Sequence, residues 1–363
     1  MSLRWPAFLV LALVVGVAGC TLPATGSKAG GAPGHVTLRM ANVNFNLFVS
    51  APAAGEFVRL VSTLSGGQVQ IQVIDGLGNS AADNEVQIVR AVASGRLDLG
   101  LTGSRVFDSM GVSDFRALSA PMLIDSYPLE KAVVESGLPR EMLGELQKIH
   151  LTGLGVLGDG LRMPVGVDHP LRAPQDWQRI SFGTYRSETQ EMAIRALGAT
   201  PVEASGGSRV HYLDTGQMQG FEFDLQHYSQ QEPYMSGKAP YITANVILWP
   251  QVDVLVANPG RLASLTDQQR SWLGEAAADA ARDSVGLVSQ DGPYISQECA
   301  AGTLFANASP ADLAAMQTDF TTVYANLERD PQTRSFIHQL QSLKSLTSPG
   351  QPLRIPAGCS VGG

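Results

Sequence analysis

The segment QVQIQVI, from Gln68 to Ile74, alternates polar and apolar residues without a break. Side chains two apart share a face only in an extended chain, so this segment predicts a β-strand with one buried face. Before it, Ala51 to Ser65 carries Phe57, Leu60, Val61 and Leu64 at helical spacing, and His35 to Ala41 alternates like a buried first strand. After it, Glu85 to Ala93 is again helical and stops at Ser94-Gly95, ahead of a short strand from Leu97 to Leu101. Strand, helix, strand, helix, strand at this spacing predicts a mostly parallel sheet with helices on both faces.

The alternation continues along the chain. Leu129 to Lys148 reads as a helix and Leu151 to Leu157, LTGLGVL, as the buried strand that follows. Residues 163–248 repeat the logic, with strands near 163–168, 179–185, 200–203 and 218–223 and helices near 187–197 and 207–215. Trp249 to Asn258 is a strongly apolar strand. Leu265 to about Ser289 is one long helix opened by the N-cap Thr266, and further helices are expected near 309–329 and 331–345. A chain of 363 residues exceeds the ~250–300 at which single cores stop growing, and two α/β lobes with several crossings fit this order.

The N-terminus reads as a processed segment. A positive MSLRW start leads into an apolar run from Phe8 to Val17, shorter than the ~20 residues that span a bilayer. The run ends in Val17-Ala18-Gly19-Cys20, which looks like a bacterial lipobox with Cys20 as the lipidated residue. An ordinary secretory signal with an incidental cysteine is the alternative. Residues 1–20 are thus expected to be a lipoprotein signal peptide, and residues 21–35, rich in small residues, a flexible tether. This implies an extracytoplasmic protein anchored to the bacterial membrane by lipid. Cys299 and Cys359 then remain, and an even pair in an oxidising compartment predicts a disulfide that pins the C-terminal tail, with two free thiols as the alternative.

Composition excludes several functions. The net charge of −8 gives no basic footprint for nucleic acid or for an anionic membrane surface. There is no G-x-S-x-G elbow, H-E-x-x-H, Walker loop or helix-opening G-x-G-x-x-G. The six His are scattered without metal-ligand spacing, so no metal, no cofactor and no catalytic residue is expected. A tethered two-lobed α/β protein without catalytic motifs points to a binding protein, whose ligand sits at the lobe interface. An extracytoplasmic enzyme on the same fold is the alternative that such a clustered site would have supported.

RISFGTYRSETQEMAIRALGATP, residues 179–201, carries a strand straight into a helix. Ser187 and Gln190 have capping-box spacing, and Gly198 stops the helix. A helix start beside Arg186, after a strand end, is a place where an anion could sit.

Several stretches, taken in order, resemble the DctP-like solute-binding proteins of tripartite ATP-independent periplasmic (TRAP) transporters. They are GLGNSAADNEVQIVRAVASGRLDLGLTG (76–103), APMLIDSYPLEKAVVES (120–136), GLGVLGDGLRMPV (153–165), LRAPQDWQRISFGTYRSETQEMAIRALGATPVE (171–203) and LDTGQMQGFE (213–222). The Trp249–Asn258 strand ahead of the long helix completes the set. The resemblance implies an α/β, two-lobed periplasmic-binding-protein (Venus-flytrap) fold with a long helix spanning both lobes. Lobe I would comprise 36–158 plus 246–265 and lobe II 159–245 plus 285–345, with 266–289 as the spanning helix and 346–363 as the tail. It further implies capture of an organic acid and delivery to TRAP permease membrane subunits. A ligand-sensing or surface-interaction lipoprotein without transport is the alternative.

The resemblance also implies which residues face the ligand. An arginine in the strand after PQDW usually clamps the ligand carboxylate through two charge-assisted bonds, and its position here falls at Gly183. Arg162 matches a second cleft arginine, and Arg186 is near the strand end. Glu222 fits the acidic residue after the family's turn, and Phe223 and Asp224 follow it. With Tyr185 and Trp249 nearby, the cleft is expected to be more aromatic, suited to an organic acid or an aromatic or sugar-like metabolite. A carboxylate would be held by Arg162 and the N–H groups before Thr189. Asn42, Asn44 and Glu85 fit the cleft-facing positions of lobe I.

Overall fold

The expected first strand becomes β1 (Val36–Ala41) and QVQIQVI becomes β2 (Val69–Ile74); β3 is Leu99–Gly103, and β4, much longer than expected, is Thr152–Gly166. Then come β5 (Ser181–Thr184), β6 (Thr200–Glu203), β7 (Gly220–Phe223), β8 (Tyr241–Thr243), β9 (Trp249–Ala257) and β10 (Leu304–Ala306). The computed structural model describes residues 34–78, 81–231 and 233–361. The expected signal peptide, Cys20 and almost all of the tether lie outside the described residues.

The strands run in the order β2-β1-β3-β9-β4-β7-β5-β6, with β8 beside β4 and β10 beside β8. The parallel pairing expected from the alternation holds towards the two ends, where β1 lies between β2 and β3 and β5 between β6 and β7. The middle is antiparallel: β9 pairs with both β3 and β4, and β4 goes on to pair with β7 and β8. The sheet is therefore mixed, and β4 and β9 are the strands that link the two lobes.

Two strands were expected in 151–168, and one is found. β4 runs on through Gly158-Asp159-Gly160 with a register shift between Gly158 and Leu161, and Gly160 has a φ of 106°. A side chain at Gly160 would also meet Asp224 Cβ at 3.0 Å, so only glycine suits the backbone and the close approach together. The first part of β4, up to Arg162, pairs with β9, and Met163–Gly166 pairs with β7.

The long helix is Asp267–Val288, opened by a reciprocal cap between Thr266 and Gln269. It packs on the Pro52–Leu64 helix and along β4. Ala276, Ala277 and Ala280 allow a close approach, and Ser284 Oγ accepts from Gly158 N at 3.0 Å. The helix expected over 129–148 is broken into Tyr127–Val134, Leu138–Gly144 and a 3-10 turn, with Pro139 opening the second piece. The range expected to join lobe II, 285–345, does not pack as one piece. Its helix Thr321–Leu327 packs on Glu188–Ala196, whereas Pro331–Leu346 lies against Asp114–Ser119 and Tyr127–Val134 of the first half.

Cys299 and Cys359 are joined in a disulfide. Beyond it, Val361 N donates to Phe305 O at 2.8 Å, so the tail extends the edge formed by β10. No helix of the described residues is long and apolar enough to cross a membrane.

Candidate functional site

A small cavity of about 30 Å³ lies where the lobes meet β4 and β9. Lobe I supplies Asn42, Asn44, Glu85, Thr102 and Arg105 to its wall. The linking strands supply Asp159 and Arg162 from β4 and Gln251 and Asp253 from β9. Tyr185 and His227 come from lobe II, just past the ends of β5 and β7.

Arg105 sits in the first turn after β3, in the 3-10 segment Ser104–Met110. Its Nη2 donates to Glu85 Oε1 at 2.8 Å, and its Nη1 donates to Gln251 Oε1. Glu85 Oε1 also accepts from Gly103 N at 2.9 Å. A side chain at Gly103 would fall 2.7 Å from the guanidinium carbon, so glycine leaves room for this pair. Burial pushes the Glu85 carboxyl up, and Arg105 opposes that shift. The Arg105 guanidinium lies 3.6 Å from the centre of the Tyr185 ring, a cation–π contact between lobes worth about 0.5–2 kcal/mol. From the other side Arg209 donates to the Tyr185 hydroxyl at 2.9 Å and lies 4.4 Å from the Phe223 ring centre.

Arg162 is held by β7. Its Nε is 3.4 Å from Glu222 Oε2 and its Nη1 is 3.4 Å from Asp224 Oδ2, with all three side chains at most 3% exposed. Burial alone would lower the arginine's pKa, but the two carboxylates outweigh it and hold it above its ordinary value. Asp224 also takes His227 Nδ1 at 2.8 Å. Burial would raise Asp224, yet His227 and then Arg162 hold its carboxyl well below the usual range. Asp159 is pushed well up, by burial first and then by the charges of Asp253 and Asp224. Burial raises Asp253 as well, against the pull of Arg105.

The anion expected at the helix start after β5 is one of the chain's own. Asp108 Oδ2 accepts from Thr189 N at 2.7 Å and from Ser187 Oγ at 3.1 Å. Asp108 Oδ1 is paired with Arg116, which also bridges to Glu188 at 2.9 Å. The Thr189 N–H, at the helix start expected to hold a ligand carboxylate, is thus taken by a lobe I aspartate, and this contact latches one lobe to the other. Gln226 Nε2 to Val49 O at 3.0 Å and Ser205 Oγ to Ala81 O at 3.0 Å add to the latch. Asp108→Ala should cost about 0.5–2 kcal/mol, as the loss of a helix cap does. It should also open the solute-free protein, read as a larger radius of gyration by small-angle scattering; an unchanged radius would contradict the latch.

The sequence-derived candidates divide by position. Arg162, Tyr185, Asn44, Glu85 and Asn42 line the cavity. Glu222, Phe223 and Asp224 stand behind Arg162. Arg186 does not reach the cavity, because its Nε and Nη2 donate to Glu203 at 2.9 and 2.7 Å near the surface. Trp249 is a core residue, 1% exposed and packed with Val246 and Leu248. Gly183 faces Met218, whose sulfur would lie 2.4 Å from a Cβ there, and it is not part of the cavity wall. Sequence reasoning missed Arg105, Arg209, Asp159, His227, Gln251 and Asp253. A signal existed for Asp253, a lone charge inside the apolar strand WPQVDVLVAN.

A larger cavity of about 860 Å³ lies apart from these residues, walled by Leu161, Met163, Ile247, Ile295 and the tail segment Thr347–Arg354. It is mostly apolar, although Asp125, Asp291, Lys344 and Arg354 also line it, whereas buried polar and charged groups dominate the small interlobe cavity.

The sequence family described as DctP, bacterial extracellular solute-binding protein, family 7, matches residues 42–330. The C4-dicarboxylate-binding protein DctB of Bacillus subtilis is 22% identical over 182 residues, 50% of this chain and 51% of that protein, so the chain matches about half the length of that relative. A solute-binding protein of Chromohalobacter salexigens is 20% identical over 305 residues, 84% of this chain and 88% of that one. The crystal structure of a TRAP periplasmic solute binding protein from Ralstonia eutropha H16, with bound (S)-2-acetolactate, superimposes with a TM-score of 0.76 at 18% identity, covering 85% of this chain and 99% of that one. The match runs through both lobes and both linking strands, and the chain belongs to family 7 of the bacterial extracellular solute-binding proteins.

Proposed function

We propose that the protein is an extracytoplasmic solute receptor that captures a small polar metabolite between its lobes and delivers it to a TRAP-type membrane permease. The observation that carries this reading is the convergence of buried polar side chains from both lobes and from both linking strands on one cavity. The lobes, 36–158 plus 246–265 with the Pro331–Leu346 helix and 159–245 with the Thr321–Leu327 helix, close about β4 and β9, with 266–289 as the spanning helix and 346–363 as a pinned tail. Glu85, Asn44, Arg162 and Tyr185 face the solute, while Glu222, Phe223 and Asp224 fix Arg162. The relatives named for C4-dicarboxylates and bound to acetolactate support a small metabolite as cargo. The protein acts by binding and carries out no chemistry on its cargo. Lipid on Cys20 keeps it at the membrane, and Cys20→Ala should release it from the membrane fraction.

The receptor reading is tested by thermal shift across a panel of acids, amines, sugars and heterocycles. A solute at a hundred times its Kd stabilises the native state by about 2.7 kcal/mol, a shift of several degrees. A panel without any shift counts against a receptor.

A further inference from the structure

The larger cavity, of about 860 Å³, falls within the range of small-molecule sites and has no part in the interlobe cleft. Leu161 and Met163 of β4 line it, while Arg162 between them lines the interlobe cavity. Neighbouring strand residues point to opposite faces, so the two cavities lie back to back across β4. Ile247 and Ile295 add apolar wall, and the tail segment Thr347–Arg354 forms another side. That side is firmly seated. A side chain at Gly350 would fall 2.8 Å from Ser126 Cβ, and the Cys299–Cys359 bridge holds the chain beyond it.

One charge in this cavity lacks a counter-charge. Asp291 is half-buried, and its Oδ1 accepts from the Tyr127 hydroxyl at 3.1 Å. Among the described residues no lysine or arginine nitrogen forms an ion pair with it. Lys344 also lines the cavity, but its three donors are taken by Met122 O, Leu123 O and Asp125 Oδ2, at 3.0, 2.9 and 2.7 Å. Arg354 is exposed, where water screens its charge.

We propose that this cavity is a second binding site, for an amphipathic amine whose apolar body fills the space beside β4 and the tail and whose ammonium pairs with Asp291. A wholly apolar occupant would strip water from Asp291 and leave it unpaired, and a carboxylate would meet it with like charge. The site is separate from the interlobe cavity, so the inference goes beyond the receptor reading and does not depend on it.

Binding there should be linked to pH. The titratable groups that face Asp291 are Tyr127 and Glu130 on the Tyr127–Val134 helix, Asp224 after β7 and Tyr294 on its own helix. Burial pushes the Asp291 carboxyl up to about 6, with the Tyr127 hydrogen bond opposing that shift and Asp224 adding to it. Without ligand, a raised carboxyl stabilises the fold at low pH, and that stability is lost as pH rises through about 6. An ammonium needs the ionised form, so its affinity has the opposite sign and should be about tenfold weaker at pH 5 than at pH 8.

The test uses probes matched in apolar body and opposite in charge: octylamine against octanoate, 4-phenylbutylamine against 4-phenylbutyrate, and tryptamine against indole-3-propionate. Calorimetry on the oxidised, full-length protein at pH 5 and 8 should show at least one amine binding one to one, more tightly at pH 8, and its acid counterpart at least about tenfold weaker. Asp291→Asn keeps an acceptor for Tyr127 and removes the charge, so it should bring amine affinity down to that of the acid. Ile247→Trp narrows the cavity and should abolish binding of the amine. Equal affinity for amine and acid, or equal affinity at both pH values, would overturn the pairing with Asp291. Amine binding that neither variant weakens would place the amine elsewhere and overturn the site, as would silence from all three amines. Each of these outcomes leaves the receptor reading standing, because that reading rests on the other cavity.

Discussion

Arg162→Ala should destabilise the protein by about 3–5 kcal/mol, the usual cost of removing one partner from a buried ion pair. The reason is local. Glu222 and Asp224 are each 2% exposed, and among the described residues Arg162 is the guanidinium within 4 Å of both. Without it two carboxylates stay in a water-poor interior, with His227 opposing Asp224 and only the more distant Arg105 and Arg209 opposing Glu222. The pH dependence gives a second reading. Asp224's carboxyl is depressed in the folded protein, so its stabilisation is present above the ordinary aspartate range and is lost only as pH falls through the depressed value. Removing Arg162 raises that value, so the variant should begin to lose this contribution at a higher pH than the wild type. Urea denaturation at pH 4 and pH 7 measures both effects. A loss below about 1 kcal/mol at neutral pH would mean that Arg162 does not neutralise the pair. Because Arg162 also lines the cavity, solute-induced stabilisation should vanish in the same variant.

Cys299→Ser should cost a comparable amount by a different route. The bridge closes a loop with a sequence separation of 60. The chain-entropy relation for that length gives about 4 kcal/mol, lost because the unfolded chain regains its freedom. The folded state loses something too. Cys359 is buried against the core of lobe II, and the tail between Leu346 and Cys359 has no helix or strand beyond one 3-10 turn. Its segment Thr347–Arg354 forms one wall of the large cavity, so a released tail would remove that wall. Limited proteolysis should therefore cut between 347 and 358 in the variant and leave the oxidised protein intact, while denaturant titration reads the stability loss. Equal resistance to protease in both forms would mean that the tail is held by its packing and its pairing with Phe305.

Much of the fold was legible because it is local. QVQIQVI became β2 within a residue of its expected limits, since strict alternation has one physical solution. Ser187, Thr266 and Gly198 marked helix ends because caps act over three or four residues. The errors share a cause. The strands expected at 151–157 and 163–168 are one strand, because pairing with β9 and then β7 carries the chain through the register shift at Gly158-Asp159-Gly160. β8 and β10, three residues each, carry too little pattern to be seen without their partners.

The sequence by itself determined the alternation of strands and helices, the caps, the candidate disulfide and the presence of polar residues such as Arg162 and Glu85 at cavity-facing positions. Only the tertiary structure decided what those charges do. Arg105 meets Gln251 across 146 residues, and Asp108 reaches the amide of Thr189 across 81. The helix start after β5, an open anion site in the sequence, is filled by that aspartate. The arginines near the cavity lie beside the chain's own acids or aromatic rings, and Asp253 accepts from Gln251. Periodicity and capping arise between neighbours in the chain, whereas the balance of buried charge depends on which distant side chains share a low-dielectric space.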